Sequence, residues 1–291
     1  MKKRSNTAYI LLLPFFIIMA LVLISIWNVA VQSFGYIPTF GLTELTLDYY
    51  LSVFQQEEFL SSFWVSLRIA LFSATFAAIF GVLLCYALIK LNHSRGRILY
   101  MVRLPILMPH AVVAVFVINI FSQTGLLARI AYALGLLSDY NQFPQLLYTT
   151  GYEGAIFAYL WKEIPFVAYF VLALMSSISS TLGEAAENLG ASPIRSFFQI
   201  TLPLSMPAIA KAYLIIYIFA FGGYELPLLL GATLPKALPV YAYISYTNPD
   251  LQQRPYAMAM NGVILLLSLG ISLLYALLTR SLLKKTGGVD A

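Results

Sequence analysis

The chain has 291 residues, of which 60% are hydrophobic and 10% charged, with a formal net charge of +5. Ordinary soluble domains carry about 25% charged residues, so this composition excludes a soluble domain and points to an all-α integral membrane protein. The basic excess then reports where loops sit relative to the membrane rather than a nucleic-acid partner, and the single cysteine, Cys85, excludes an internal disulfide framework or a cysteine-built metal site.

A membrane span needs about 20 apolar residues, and six runs qualify in chain order: 8–34, 59–89, 104–123, 154–175, 207–230 and 256–279. The basic start, Met1-Lys2-Lys3-Arg4, precedes an apolar run too long for a signal sequence, so the first run is expected to be a retained span. With the N-terminus inside, the inner segments hold Lys2, Lys3, Arg4, Lys90, Arg95, Arg97, Arg103, Arg195, Arg280, Lys284 and Lys285. The outer loops then hold Arg129, Lys236 and Arg254. The excess of Lys and Arg sets orientation, which puts both termini in the cytoplasm. The expected organisation is a first span and outer loop over 1–58, a five-span core over 59–285 and a short cytoplasmic tail at 286–291.

The outer loops are modest. Tyr49, Tyr50 and Phe54 suit an interfacial helix, 126–137 alternates in a helix-like way, and 139–144 is a turn-rich break. Cys85 sits in an apolar run and reads as a small buried hydrophobe.

Charges inside a membrane are costly and face protein or water. Arg68 lies near the outer end of the second span, from where it can snorkel to headgroups. His110 follows Pro109 near the inner end of the third span, where it reads as a packing residue. Lys162 and Glu163 stand in the fourth span beside Pro165, and Gly222-Gly223-Tyr224-Glu225 with Pro227 suits a broken helix lining a cavity in the fifth. Lys162 and Glu225 both fall in the outer half of the membrane. Two readings stay open: a buried ion pair fixing two spans together, or a polar lining of a substrate path formed by Lys162, Glu163, Gly222, Gly223, Tyr224 and Glu225.

Between the fourth and fifth spans lies a polar stretch, 181–207, that reads as two short helices with a hard turn. Thr181 and Glu184 have capping-box spacing. Gly190 suits the left-handed residue past a helix end, and Ser192 followed by Pro193 suits the start of the next helix. Ile194, Phe197 and Phe198 are expected on one face of it, and Pro203 and Pro207 are expected to close the unit.

The same stretch, Glu184-Ala185-Ala186, then Gly190 and Ala191, then Ile200, Leu202 and Pro203, resembles the EAA motif of permease subunits of type I ATP-binding-cassette importers. Leu189 stands where many members have Asp, and the wording 188–192 is closer to the polyamine, ferric-iron and phosphonate branches than to the sugar branch. The resemblance covers about 61–283. It implies a six-span permease fold and a cytoplasmic coupling loop whose contacts fall on Glu184, Ala185, Ala186, Gly190, Ala191, Ser192, Arg195, Phe197, Leu202 and Pro203. It also implies a separate cytoplasmic ATPase dimer, a second permease subunit, identical or homologous, and an extracytoplasmic solute-binding protein. The substrate class it implies is a small charged solute of polyamine, phosphonate or iron type, with a sugar as the alternative. There is no phosphate-loop sequence, so ATP is expected on the partner ATPase and no cofactor on this chain, which is not expected to be an enzyme. A secondary transporter driven by an ion gradient would need acidic sites near the midplane, for which Glu163 and Glu225 are the candidates.

Overall fold

The structure, a computed structural model, describes residues 7–94 and 96–285, with side chains over 11–94 and 96–277. Lys2, Lys3, Arg4, Arg95 and the segment 286–291 invoked above lie outside the described residues, as do the side chains of Arg280, Lys284 and Lys285. The described residues are helical and hold no strand. Six stretches are long and apolar enough to cross a membrane: Leu11–Ser33, Glu57–Lys90, His110–Ala133, Glu153–Asn188, Pro193–Gly222 and Leu251–Leu277.

The chain falls into two compact units. The first comprises 1–59 and 241–266. It contains α1 (Thr7–Ser33), whose apolar window is wholly unburied, and the short α2 (Asp48–Gln55). The first part of α13 (Arg254–Lys285) also belongs to it. Aromatic residues of the expected interfacial helix hold this unit together. Tyr50 donates to Ser33 Oγ at 2.8 Å, Tyr49 meets Tyr256 edge-on at 5.1 Å, and Arg254 stacks on Tyr246 at 4.3 Å.

The second unit comprises 60–240 and 267–291. It carries most of α3 (Glu57–Lys90), then α4 (Arg97–Leu107), α5 (His110–Phe121), α6 (Leu126–Ala133) and α7 (Glu153–Ile178). Beyond these come α8 (Glu184–Asn188), α9 (Pro193–Ser196), α10 (Leu202–Gly222), α11 (Glu225–Leu230) and the start of α12 (Leu238–Tyr246). The central element is α7, which packs on α4, α5, α10 and α11. It runs through Pro165 without a break, and its buried face includes Ala155, Ala158, Val167, Ala168 and Val171. Small residues on that face let neighbouring backbones approach closely, which is how helices associate when lipid gives no hydrophobic drive. Cys85 is fully buried, as expected of a small hydrophobe.

Two expected spans are corrected. The third does not run continuously over 104–123: α4 ends at Leu107, Met108 is extended (φ −73°, ψ 133°), and α5 starts at His110. Pro109 lacks an N–H and disfavours helical backbone in the residue before it. The fifth does not start at 207; α10 begins at Leu202, stops at Gly222, and α11 resumes at Glu225.

Arg68 has a partner within the protein that its place near the end of the second span did not announce. Its guanidinium donates to the Thr150 carbonyl in the loop ahead of α7, a contact 82 residues away in sequence. The Tyr152 hydroxyl donates to the Pro235 carbonyl at 2.8 Å, and burial pushes its pKa above the ordinary tyrosine range, so it stays a donor. Nearby, the Leu238 N–H donates to Ser66 Oγ at 2.8 Å, with both residues buried. Replacing Ser66 by alanine strands that N–H. We expect a loss of about 1–3 kcal/mol, read as a lower thermal midpoint of the detergent-purified chain; an unchanged midpoint would show that this bond contributes nothing.

Candidate functional site

The stretch 181–207 folds as a helical hairpin, but not as two detached helices. α7 passes through a π turn, Ser179–Gly183, directly into α8, and α9 passes through a second π turn, Phe197–Thr201, directly into α10. The capping box at Thr181 is therefore absent: the Thr181 hydroxyl donates back to the Ser177 carbonyl at 2.8 Å, inside continuous helix. Ser176, Ser177, Ser179 and Ser180 do not break the helix, so nothing there creates a fresh N-terminus. Pro203 and Pro207 likewise lie within α10 and do not close the unit. Pro203 is the second residue of α10, directly after the π turn.

The turn itself follows the local chemistry. Gly190 has φ +94°. Its N–H donates to the Glu187 carbonyl at 2.9 Å, and the Ala191 N–H donates to the Ala186 carbonyl at 3.0 Å, the paired bonds of a Schellman motif. Ser192 Oγ accepts from the Arg195 N–H at 3.4 Å and Pro193 opens α9. Arg195 also donates to Gln199 Oε1 at 3.2 Å. The hairpin is closed by a bond that no sequence pattern announced: the buried Ser196 hydroxyl donates to the Gly183 carbonyl at 3.2 Å.

The apolar face of the hairpin differs from expectation at one residue. Ile194 and Phe198 are exposed, joined by Leu189 at 91% exposure, but Phe197 is 5% exposed. The π turn directs it inward against Tyr86, with ring centroids 4.4 Å apart. Glu184, Ala185, Ser192, Arg195 and Pro203 are exposed, while Ala186, Ala191 and Leu202 are half-buried.

The second candidate site is where the two interrupted helices lie beside α7. The Lys162 ammonium donates to the Met108 carbonyl at 2.8 Å, at the break between α4 and α5. Glu225, the first residue of α11, meets His110 at 3.0 Å (Nδ1 to Oε2). An acidic residue at a helix start is stabilised by the dipole. The His110 ring lies 5.5 Å from Phe219. Gly223 at the second break is filled from the other side by Tyr159: a Cβ there would collide with the tyrosine hydroxyl. Glu163 is 8% exposed and shares with Lys162 a cavity of about 200 Å³ walled by Phe166, Ile216 and Phe219.

Lys162 and Glu225 thus do not form the pair that their depth in the membrane suggested; each has another partner. Their neighbourhood is nonetheless common, with His110 and the Met108 carbonyl as the members that sequence reasoning missed. Gly222, Tyr224 and Glu225 are exposed, Lys162 and Gly223 half-buried. The Glu225 side chain is 48% exposed against 22% for His110, so the carboxylate is the open end of this cluster.

Residues 87–284 match the family described as binding-protein-dependent transport system inner membrane component. The putrescine transport system permease protein PotI of Escherichia coli K12 is 24% identical over 208 residues, covering 70% of this chain and 68% of that protein. The sn-glycerol-3-phosphate transport system permease protein UgpA of Yersinia pestis is 30% identical over 228 residues, covering 73% and 72%. Among solved structures, a bacterial alginate transporter in complex with an alginate pentasaccharide-bound periplasmic protein matches with TM-score 0.76 at 24% identity over 96% of both chains, which shows the fold. The six-span helical architecture, the interrupted helices and the hairpin that carries Glu184-Ala185-Ala186 and Gly190 agree with that assignment, and the chain belongs to the family of inner membrane permease components of binding-protein-dependent, ATP-binding-cassette transport systems.

Proposed function

We propose that this permease forms half of the pathway of an importer for a small cationic solute of diamine or polyamine type, driven through its 181–207 hairpin by a separate cytoplasmic ATPase dimer. A second permease subunit, homologous or identical, supplies the other half, and an extracytoplasmic binding protein delivers the solute. ATP binds the ATPase, not this chain, and no nucleic acid is involved. The observation that carries the substrate class is the cluster at the two helix breaks. Two carboxyl groups, Glu163 and Glu225, stand against one ammonium, Lys162, and one imidazole, His110. The open group is a carboxylate, and an anion in low dielectric attracts cations strongly. The similarity to a putrescine permease supports the same reading. The greater identity to a glycerol-phosphate permease favours a second one, an anionic or sugar-type solute held by Lys162.

Uptake separates the two. With the chain and its accompanying subunits in vesicles supplied with the binding protein, Glu225→Gln should lower labelled putrescine uptake about tenfold or more, the scale of one charge-assisted bond, while Lys162→Met acts less. The reverse order, with sn-glycerol 3-phosphate as the transported probe, favours the second reading. Neither change altering uptake removes both residues from the path.

The hairpin is proposed to act as a rigid lever, with Glu184, Ala185, Ala186, Gly190, Ala191, Ser192, Arg195, Phe197, Leu202 and Pro203 at or behind the contact. Leu189, Ile194 and Phe198 offer the apolar surface that seats in a partner groove. An ATPase should co-purify with the chain. Gly190→Val places a branched side chain at φ +94° and costs about 1–2 kcal/mol locally. The variant should insert normally and retain ATP hydrolysis in the complex, yet lose most uptake; normal uptake would refute the lever.

Both termini and the hairpin are proposed to be cytoplasmic, on the distribution of Lys and Arg. In a Cys85→Ala background, Leu189→Cys should react with an impermeant thiol reagent only from the cytoplasmic side and Thr247→Cys only from outside. Leu189 serves better than Ser196, which is 3% exposed. Labelling of Leu189→Cys from outside would invert the orientation.

A further inference from the structure

Away from both sites, a groove of about 720 Å³ lies between α4 and α7. Its walls are of two kinds. Leu99, Phe166, Phe170 and Leu172 supply its apolar lining, and Arg103, Ser176 and Ser177 its polar lining. Arg103 is the seventh residue of α4, so it is carried on a rigid element rather than on the loop that sequence counting assigned it to. Its guanidinium lies 4.1 Å from the ring centroid of Tyr169, with Tyr100 at 5.5 Å. Stacking of this kind orients the planar group and leaves its N–H edges free.

Those edges are not used. Among the described residues Arg103 makes no hydrogen bond or ion pair, and its Nε is buried without a partner. The hydroxyls of Ser176 and Ser177 are likewise without a bond there, although the Ser177 carbonyl accepts from Thr181. A buried N–H without an acceptor costs free energy. The guanidinium is held by the Tyr169 ring in the wall of a groove that is otherwise largely apolar near it.

We propose that this groove is a binding site for a phosphate-type oxyanion attached to an apolar tail: the oxyanion takes the Arg103 fork, and the tail lies along Leu99, Phe166 and Leu172. A planar fork matches two oxygens of such a group in a way an ammonium does not. Two sources can supply the oxyanion: the headgroup of an anionic lipid, which brings its own tail, and a free phosphate, which would occupy the Arg103 end alone.

The test uses the full-length chain in detergent with whatever subunits accompany it. Dioleoyl phosphatidylglycerol is titrated in, and retained lipid is counted by native mass spectrometry. The expected result is one tightly retained lipid per chain, with affinity lowered about tenfold or more in Arg103→Gln, the scale of losing a charge-assisted bond. Arg103→Lys should fall between, because it keeps the charge and loses the fork. Circular dichroism and gel filtration of Arg103→Gln and Arg103→Lys, matched to the unaltered chain, show that the helices are intact. Inorganic phosphate at millimolar concentration then separates the sources: displacement of the lipid with the same dependence on Arg103 assigns a free oxyanion, and lipid retention without displacement assigns the headgroup. Equal retention by the unaltered chain and Arg103→Gln, or no retained lipid and no phosphate binding, overturns the proposal.

Discussion

A backbone carbonyl released inside hydrocarbon has to find a donor. Pro109 forces such a release by ending α4, and the carbonyl of Met108 is answered by the Lys162 ammonium at 2.8 Å. This one bond explains why a lysine is tolerated in the middle of α7, and it ties α7 to the break between α4 and α5. The neighbouring break, at Gly223, is answered differently. The Tyr159 side chain fills the space that a Cβ would occupy, and Glu225 begins the next helix with its charge at the favourable end. With both breaks settled against α7, the His110–Glu225 contact follows as a consequence of where the helices restart.

The polar cluster and the hairpin occupy the same helices. Lys162 and Glu163 are on α7, which continues through a π turn into α8; Glu225 follows α10, which grows out of α9 through the other π turn. If the hairpin acts as the proposed lever, its displacement would be carried along two continuous helical rods to the residues around the breaks. The Ser196–Gly183 bond and the Tyr86–Phe197 contact keep the two arms together at the turn. In that geometry coupling requires no chain of side-chain rearrangements, only the stiffness of helices.

Much of this was legible in the sequence because it depends on local backbone chemistry. Gly190, Ser192 and Pro193 each encode a conformation that neighbouring residues do not change, and all three fold as expected. Run length and hydropathy were sufficient for the six spans. The errors have one cause, which is that patterning describes a residue's tendency and not its partner. Thr181 and Glu184 have capping-box spacing, but a box requires a helix start, and the serine run ahead of them continues α7. Phe197 has helical spacing with Ile194 and Phe198, but a π turn shifts its direction. Arg68 and His110 found partners 82 and 115 residues away. Periodicity carries no information about such distances, so the bland readings of both residues were the natural ones.

The two π turns bear on how this segment can change over evolutionary time. A π turn accommodates one residue more than a regular helix does in the same place, and each helical residue advances the chain by about 100°. Deleting a single residue within Ser179–Gly183 or Phe197–Thr201 would restore a regular helix with its flanks still in register, whereas deleting one from the regular turn of α8 would swing the residues beyond it around the helix axis by about that amount. Substitutions on the exposed face alter one contact at a time, whereas a change in length misdirects all of them together. The stretch between the two π turns is thus constrained more by its residue count than by its residue identities, and related chains that dock on the same kind of partner are expected to vary in letters there while holding the spacing from Glu184 to Ser196 fixed.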